Sequence, residues 1–236
     1  MVVGVFGKNK ILAVIPARKG SKRIKNKNSI IFNKKPMILH TINEAKKCKF
    51  FDKIIISTDS KKILDLGRKN GIHTPFLREE ANDDYSSVDL ATLAAIRQAE
   101  SYFGPYDYVV QLMPNCPFRN KKTIEGAIKN FFKNNYKSQI TFFEYNWANP
   151  WWAHYLKKNK IKKFFKNFRS PKFSRSQDLP KLFCPTGSVW ISEIKTLKKF
   201  KNFYSPNYGH FIIDYKEAID LDTQKDLEIA KYFIEK

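Results

Sequence analysis

Residues 11–28 read ILAVIPARKGSKRIKNKN. The first five, Ile11 to Ile15, form an unbroken apolar run, the mark of a strand buried on both faces. Pro16 ends it, and the loop that follows carries Arg18, Lys19, Lys22, Arg23, Lys25 and Lys27 around one glycine and one serine. A buried strand that opens directly into so cationic a loop sets the reading of everything around it.

Further along the chain, strands and helices alternate. Pro36 opens PMILHTINEAKKC, a predicted helix with proline in its first turn. Lys53 to Ser57 (KIIIS) predicts a second buried strand, ending at Thr58 and Asp59, and KKILDLGRKNG predicts a helix stopped by Gly71. Ser87 to Ser101 predicts a helix, Asp107 to Leu112 (DYVVQL) a third buried strand, Thr123 to Asn134 a helix and Gln139 to Phe143 a strand. Gly187 to Ser192 resumes a core strand. The closing helix, Gln224 to Lys236, aligns Leu227, Ala230, Phe233 and Ile234 in one stripe, with Asp222 and Thr223 as candidate caps. Strands spaced by helices in this way imply βαβ units with right-handed connections, hence an α/β fold with a mostly parallel sheet flanked by helices. Ligands in such sheets lie beyond the carboxyl ends of the strands. That rule selects Pro16 to Asn28, Ser57 to Asp59 and Met113 to Arg119.

Residues 145–181 break the rhythm with three tryptophans, three prolines and a lysine-rich turn. The predicted organisation is an α/β domain over 1–144 and 182–236, with 145–181 as an insertion carrying its own strands. Aromatics interleaved with lysine suit either stacking on single-stranded nucleic acid or a subunit interface.

Composition narrows the function classes. The 236 residues are 42% hydrophobic, enough to build a core. The formal net charge is +22, from 44 basic and 22 acidic residues, and would attract polyanions. Only 8 of the 44 are arginine, and a solvated lysine surface accounts for much of the charge. Cys48, Cys116 and Cys184 lie far apart, make no CxxC and suit a reducing, cytoplasmic setting. No apolar run approaches the ~20 residues of a membrane span, so no membrane partner is expected; nucleic acid is not an expected partner either. Gly4-x-x-Gly7-Lys8 is too short for a P-loop, and residues 1–9 read as an extension. The four histidines show no zinc spacing, and neither a Ser-His-Asp order nor a GxGxxG occurs. The remaining chemistry is phosphoryl transfer by positioning and electrostatics.

Two constellations can carry it. In the opening loop, Gly20 lets the backbone turn, Ser21 adds a hydroxyl donor, Arg18 offers bidentate phosphate contacts and Lys22 a point charge. Lys25 reads as solvated. Near the C-terminus stands Ile219-Asp220-Leu221-Asp222. Carboxylates two residues apart on an extended chain share a face. Such a pair is costly unless cations hold it, and oxygen-only ligands suit Mg²⁺. The alternative for Asp222 is a cap on the last helix. For Asp59 the alternatives are a metal or ribose contact and a helix cap.

IPARKGSKRIKNKN, KPMILHTI, IIISTDS, MPNCPFR, SRSQDLPKLFCPTGSVWI and IDLDTQKDLEIA, in that order from about Ile11 to the C-terminus, resemble the acylneuraminate cytidylyltransferase family, the CMP-sialic acid synthetases and their relatives for other nonulosonic acids. The resemblance implies a Rossmann-like nucleotidyltransferase fold whose inserted segment exchanges contacts in a homodimer. It implies a reaction of CTP with an acidic α-keto sugar to give CMP-sugar and pyrophosphate, with Mg²⁺ as cofactor. By the same resemblance, Arg18, Ser21, Lys22, Lys27, Asn28, Arg78, Ser86 and Ser87 contact CTP, and Arg18, Lys22 and Asp222 are catalytic. Met113, Asn115, Arg175 and Thr186 face the sugar, and Asp220 and Asp222 carry the metal. Met113 stands where the sialic acid enzymes often have Gln, Thr186 where Asn is common and Lys19 where Gly or Gln is frequent. The departures cluster at the expected acceptor pocket and point to a bacterial nonulosonic acid such as pseudaminic or legionaminic acid. CMP-Kdo synthetases are the nearest rival family, and a nucleic-acid-binding protein is the non-enzymatic alternative.

Overall fold

The computed structural model describes residues 9–83, 85–146, 148–165 and 175–235. The extension up to residue 8, Trp147 and the stretch 166–174 of the insertion lie outside the described residues.

The chain opens with β1 (Ile11–Pro16), the cationic loop, and a small hairpin of β2 (Ile31–Phe32) and β3 (Lys35–Pro36). Then follow α1 (Met37–Lys47), β4 (Lys53–Ser57), α2 (Lys61–Lys69), α3 (Val88–Phe103), β5 (Tyr108–Gln111), α4 (Lys121–Lys133) and β6 (Ser138–Glu144). The insertion contributes a second hairpin, β7 (His154–Lys157) and β8 (Lys160–Lys163). The chain closes through β9 (Phe183–Glu193), α5 (Ile194–Phe200), β10 (Gly209–Ile212), α6 (Tyr215–Ala218) and α7 (Gln224–Glu235).

Six strands form one sheet in the order β10-β6-β9-β5-β1-β4. β1 runs parallel to β4 and β5, with Val14 opposite Ile55 on one side and Gln111 on the other. β10 is parallel to β6, while β9 is antiparallel to both β5 and β6. The reversal follows from the connection. β6 returns to the sheet through the insertion hairpin and not through a crossover helix, so β9 must run back against it. The expected mostly parallel sheet flanked by helices is thus what the chain forms.

The alternation of β1 divides the core. Ile11 and Ile15 pack with Ile38 and Ile42 of α1 and Ile124, Ile128 and Phe131 of α4. Leu12 and Val14 pack with Leu93 and Ile96 of α3 and Leu197 of α5 on the other face. Every β1 residue is buried, as the unbroken apolar run requires.

A third, smaller cluster positions the site. Ile24 of the cationic loop, Phe32 and Met37 pack against Ile219, Leu221, Leu227 and Ala230. Ile219 and Leu221 alternate with Asp220 and Asp222, so burying the two apolar residues turns the two acids to the opposite face. The same cluster binds the loop to that segment through Ile24.

Several local expectations change. Gly20 does not supply a left-handed turn: among the described glycines only Gly71 (φ +80°) and Gly104 (φ +82°) have positive φ, and a Cβ at Gly20 would meet nothing nearer than 4.0 Å. Asn26 at φ 56° makes that turn. Pro36 lies in β3 and precedes α1 instead of opening it. Thr223, not Asp222, caps α7: its Oγ1 accepts from the Asp226 N–H at 3.3 Å, and Asp226 Oδ2 accepts from the Thr223 N–H at 2.7 Å. That reciprocal cap leaves the Asp222 carboxylate available for the site.

Candidate active site

A cleft of about 650 Å³ opens beyond the carboxyl ends of β1 and β5. It is lined by Pro16, Arg18, Ser21, Lys27 and Asn28 from the loop after β1. The segment before α3 adds Arg78, Ala81 and Ser86, α3 itself Val88 and Ala91, and the loop after β5 Met113, Pro114 and Asn115. Eight residues singled out from sequence therefore share one cavity, although they come from three separate stretches of chain.

Hydrogen bonds fix these stretches to one another. The Arg18 carbonyl accepts from Asn28 Nδ2 at 3.1 Å, which folds the loop back on itself, and Arg18 Nη1 donates across the cleft to the Asp83 carbonyl at 3.3 Å. Asp59 Oδ1 accepts the Lys19 N–H at 2.7 Å, while Ser60 caps α2 through the Ile63 N–H. Asp59 thus holds the loop in place and does not cap the helix. Arg78 is buried, and its Nε donates to Asn82 Oδ1 at 2.8 Å. Ser86 Oγ donates to Asp83 Oδ2 at 2.5 Å. Ser87 instead caps α3, accepting the Leu90 N–H, and lies outside the cleft lining. Lys22 is exposed on the same loop, also outside the lining.

The acid pair lies at the Asn115 end of the cleft. Asn115 Nδ2 donates to Asp220 Oδ1 and, at 3.1 Å, to Asp222 Oδ1. Lys27 Nζ pairs with Asp222 Oδ1 at 2.5 Å, and Arg23 pairs with Asp222 Oδ2. The cationic loop and the C-terminal acids therefore do meet, through Lys27 and Arg23. Nothing in the sequence marks Arg23 out; six basic residues crowd one loop, and only the tertiary arrangement tells them apart. The two acids sit in different electrostatic situations. Burial pushes the Asp220 carboxyl up to about 6, and the neighbouring Asp222 charge adds to the shift. Burial acts on Asp222 in the same sense, but Lys27 and Arg23 outweigh it and hold that carboxyl below its ordinary value.

A second cavity adjoins the pair. Asp220 lines it with Thr186, Gly187, Phe143, Pro185, Tyr215 and Ile229. Met113 is the partition between the two cavities. A Cβ on Gly187 would fall 2.8 Å from Met113 Cγ and 3.8 Å from Asp220 Oδ2, so glycine is the residue that lets Met113 pack there. Thr186 is buried and its Oγ1 donates to the Ala218 carbonyl at 3.2 Å. Arg175 lies on neither cavity wall; it is exposed and forms a two-point pair with Asp178 at 2.7 and 2.9 Å. Arg119 is fully buried and donates to the Ser188 carbonyl and to Thr41 Oγ1, both at 2.6 Å, anchoring the loop after β5 to β9 and α1.

The donor set fits a hard divalent cation. Asp220 is largely buried, its ligands are oxygen only, and among the described residues no salt bridge reaches it. The nearby Lys27 charge only partly offsets the cost of burying the Asp220 carboxylate, and a divalent ion would offset it further.

A cationic cleft at the carboxyl edge of a mostly parallel sheet, with an acid pair at one end, defines a nucleotide-handling α/β protein. A family model described as cytidylyltransferase matches residues 12–206. The chain belongs to that family. It is 35% identical over 227 residues to a pseudaminic acid cytidylyltransferase of Campylobacter jejuni, covering 94% of this chain and 95% of the relative. It is 33% identical over 236 residues to a CMP-N,N'-diacetyllegionaminic acid synthase of Legionella pneumophila, covering 96% and 97%. A solved CMP:2-keto-3-deoxy-manno-octonic acid synthetase complexed with CTP superposes with a TM-score of 0.71 over 96% of this chain and 99% of that one; at 15% identity it attests the fold.

Proposed function

We propose that this cytidylyltransferase couples CTP to a nonulosonic, sialic acid-like α-keto sugar, giving a CMP-sugar and pyrophosphate, and that Mg²⁺ is its cofactor. The observation that carries the reading is the meeting of the cationic loop with Asp220 and Asp222 where the two cavities adjoin. The family and the relatives named for pseudaminic and legionaminic acids supply the substrate class.

In this reading the cleft holds the nucleotide. Asn28, Arg78 and Ser86 face the cytidine, and Arg18, Ser21 and Lys22 gather the phosphate oxygens. The sugar occupies the second cavity, beyond Met113 and Gly187. Its anomeric hydroxyl then lies across the acid pair from the departing pyrophosphate. The oxygen attacks the α-phosphorus, the bond from that phosphorus to the bridging oxygen of the β-phosphate breaks, and the hydroxyl proton is released. Arg18 and Lys22 stabilise the charge that grows on the leaving group. Asp220 and Asp222 would hold Mg²⁺, which when bound screens the phosphates and favours the ionised hydroxyl. No covalent intermediate on the chain is required.

The exposed hairpin supports a further part of the reading, a homodimer. Leu156 and Ile161 face each other across β7 and β8 at 64% and 69% exposure, and two copies would cover them. No helix among the described residues is long and apolar enough to cross a membrane; the proposed location is the cytoplasm.

The test is a panel of nucleoside triphosphates against pseudaminic, legionaminic, N-acetylneuraminic and 3-deoxy-manno-octulosonic acids, read as pyrophosphate release with and without Mg²⁺. CTP with a nonulosonic acid and Mg²⁺ is the expected active combination. Release restricted to another nucleotide, or to the eight-carbon acid, would overturn the assignment.

A further inference from the structure

We infer that Asn115 is the positioning residue of the acid pair: a single side-chain amide, bonded to both Asp220 and Asp222, holds the two carboxylates in the arrangement a divalent cation needs. The inference rests on the reading of those acids as metal ligands and departs from the sugar-contact role that family resemblance implied for Asn115.

The geometry leaves the amide one orientation. Carboxylates only accept, so the nitrogen must face them, and its two protons serve Asp220 Oδ1 and Asp222 Oδ1. The backbone is fixed as well: the Asn115 carbonyl accepts from the N–H of Leu221, the residue between the two acids, at 2.9 Å. One residue therefore grips the Asp-Leu-Asp segment at three points. Asn115 is 1% exposed, so its amide is largely shielded from water.

A packing role does not explain an amide here. Asn115 Oδ1 is buried and has no partner among the described residues. An orphaned acceptor is costly, and an apolar side chain of similar volume would fill the space without that cost. The amide is retained for its donors. Asp222 has Lys27 and Arg23 as well, but among the described residues Asp220 has no ion pair, and its only bond is to Asn115. Without the shared amide the two like charges would turn apart, and the one gripped by Lys27 would keep its place while Asp220 moved. Asp220 Oδ2, which no described group bonds, stays toward Gly187 and the second cavity because Oδ1 is held.

The experiment is a titration of the nucleotide-free full-length chain with Mn²⁺, followed by electron paramagnetic resonance, for the parent, Asn115→Ala, Asn115→Ser and Asp222→Asn, each checked by thermal melting. Loss of an outer-shell hydrogen bond typically weakens metal binding 10–100-fold. Ala should therefore bind Mn²⁺ about tenfold more weakly or worse. Ser, with one hydroxyl proton for two acids, should fall between Ala and the parent. In turnover, the Mg²⁺ concentration for half-maximal rate should rise in parallel. A folded Ala or Ser variant that binds Mn²⁺ within twofold of the parent, while Asp222→Asn loses it, overturns the positioning role and leaves the metal reading standing. Unchanged Mn²⁺ binding by Asp222→Asn sinks both. Should Ala fail to melt cooperatively, Ser alone decides by the same criterion.

Discussion

Asn115, beside the acid pair, is 1% exposed; Leu156 and Ile161, partners across the β7–β8 hairpin, are 64% and 69% exposed. Both regions follow a sheet strand, but only the second breaks the strand–helix rhythm. The first is closed by its own chain. Ile24, Ile219 and Leu221 bury together, Asn115 bridges the acids, and Lys27 reaches in from the loop. The second has every residue of both strands exposed. One region has its geometry fixed by contacts within the chain, and the other carries apolar side chains that the described residues leave uncovered. Substitutions in the two regions should therefore act on different quantities.

The largest expected effect is on turnover at the acid pair. Asp222→Asn should lower pyrophosphate release by at least about 10²-fold, because charge stabilisation at a reacting phosphate commonly contributes that much. Far-UV circular dichroism should be unchanged, since Thr223 and Asp226 cap α7 without Asp222. Normal turnover by this variant would remove the acid from the chemistry.

Asp220→Asn sharpens the contrast in a different direction, because it should raise the stability of the metal-free protein. The folded carboxyl is pushed up to about 6 from an ordinary 3.8, so between those values the folded state keeps a proton that the unfolded chain has released. Stability therefore falls as pH rises from about 4 to about 6, and the cost persists above that range. A shift of one unit corresponds to about 1.4 kcal/mol. The Asn variant should gain on the order of 1–3 kcal/mol at pH 7–8, with the gain gone below pH 4, as read by urea denaturation in a chelator. A variant less stable than the parent at pH 8 would contradict the buried-acid account.

Gly187→Ala tests the partition. Its Cβ meets Met113 Cγ at 2.8 Å, and overpacking of this kind costs about 1–3 kcal/mol. Met113→Ala in the same chain should recover much of the loss, a coupling that a double-mutant cycle on thermal melts would detect. Additive losses would show that the two residues do not contend for the space.

The smallest effect on stability belongs to the hairpin. Leu156→Ser with Ile161→Ser should change folding stability at low protein concentration by no more than about 0.5 kcal/mol, as for other exposed sites. If the hairpin seats the proposed homodimer, the same pair should shift the sedimenting mass from dimer toward monomer. A large loss of monomer stability would mean that the hairpin is covered within its own chain.

Much of this was legible in the sequence, for identifiable reasons. The apolar runs Ile11 to Ile15, Lys53 to Ser57 and Asp107 to Leu112 hold β1, β4 and the shorter β5, which begins at Tyr108 beyond an exposed Asp107; their cores are buried on both faces, and such runs stand out against a lysine-rich background. Helices with a single apolar stripe were visible by period. Short elements were not: β2 and β3 are two residues each, too few to show a period, and β10 is an edge strand with only Gly209 buried. The site divided in the same way. The cationic loop and the Asp-Leu-Asp alternation could be read from residue type and spacing. Which of six loop cations touches the acids could not, because Lys27 and Arg23 differ from Lys22 and Lys25 in surroundings and not in kind.

By itself, the sequence determined that a buried strand feeds a cationic loop, that helices and strands alternate into an α/β sheet, and that two carboxylates near the C-terminus share a face. These follow from periodicity and charge, which are local. Only the tertiary structure decided that Asn115 joins both acids, that Thr223 and not Asp222 caps the last helix, and that Met113 and Gly187 divide two cavities. The first and the last depend on residues distant in sequence being pressed together by a common core, and no local pattern encodes that distance; the cap is local, and the choice between two adjacent candidates fell to the Thr223–Asp226 pair three residues apart.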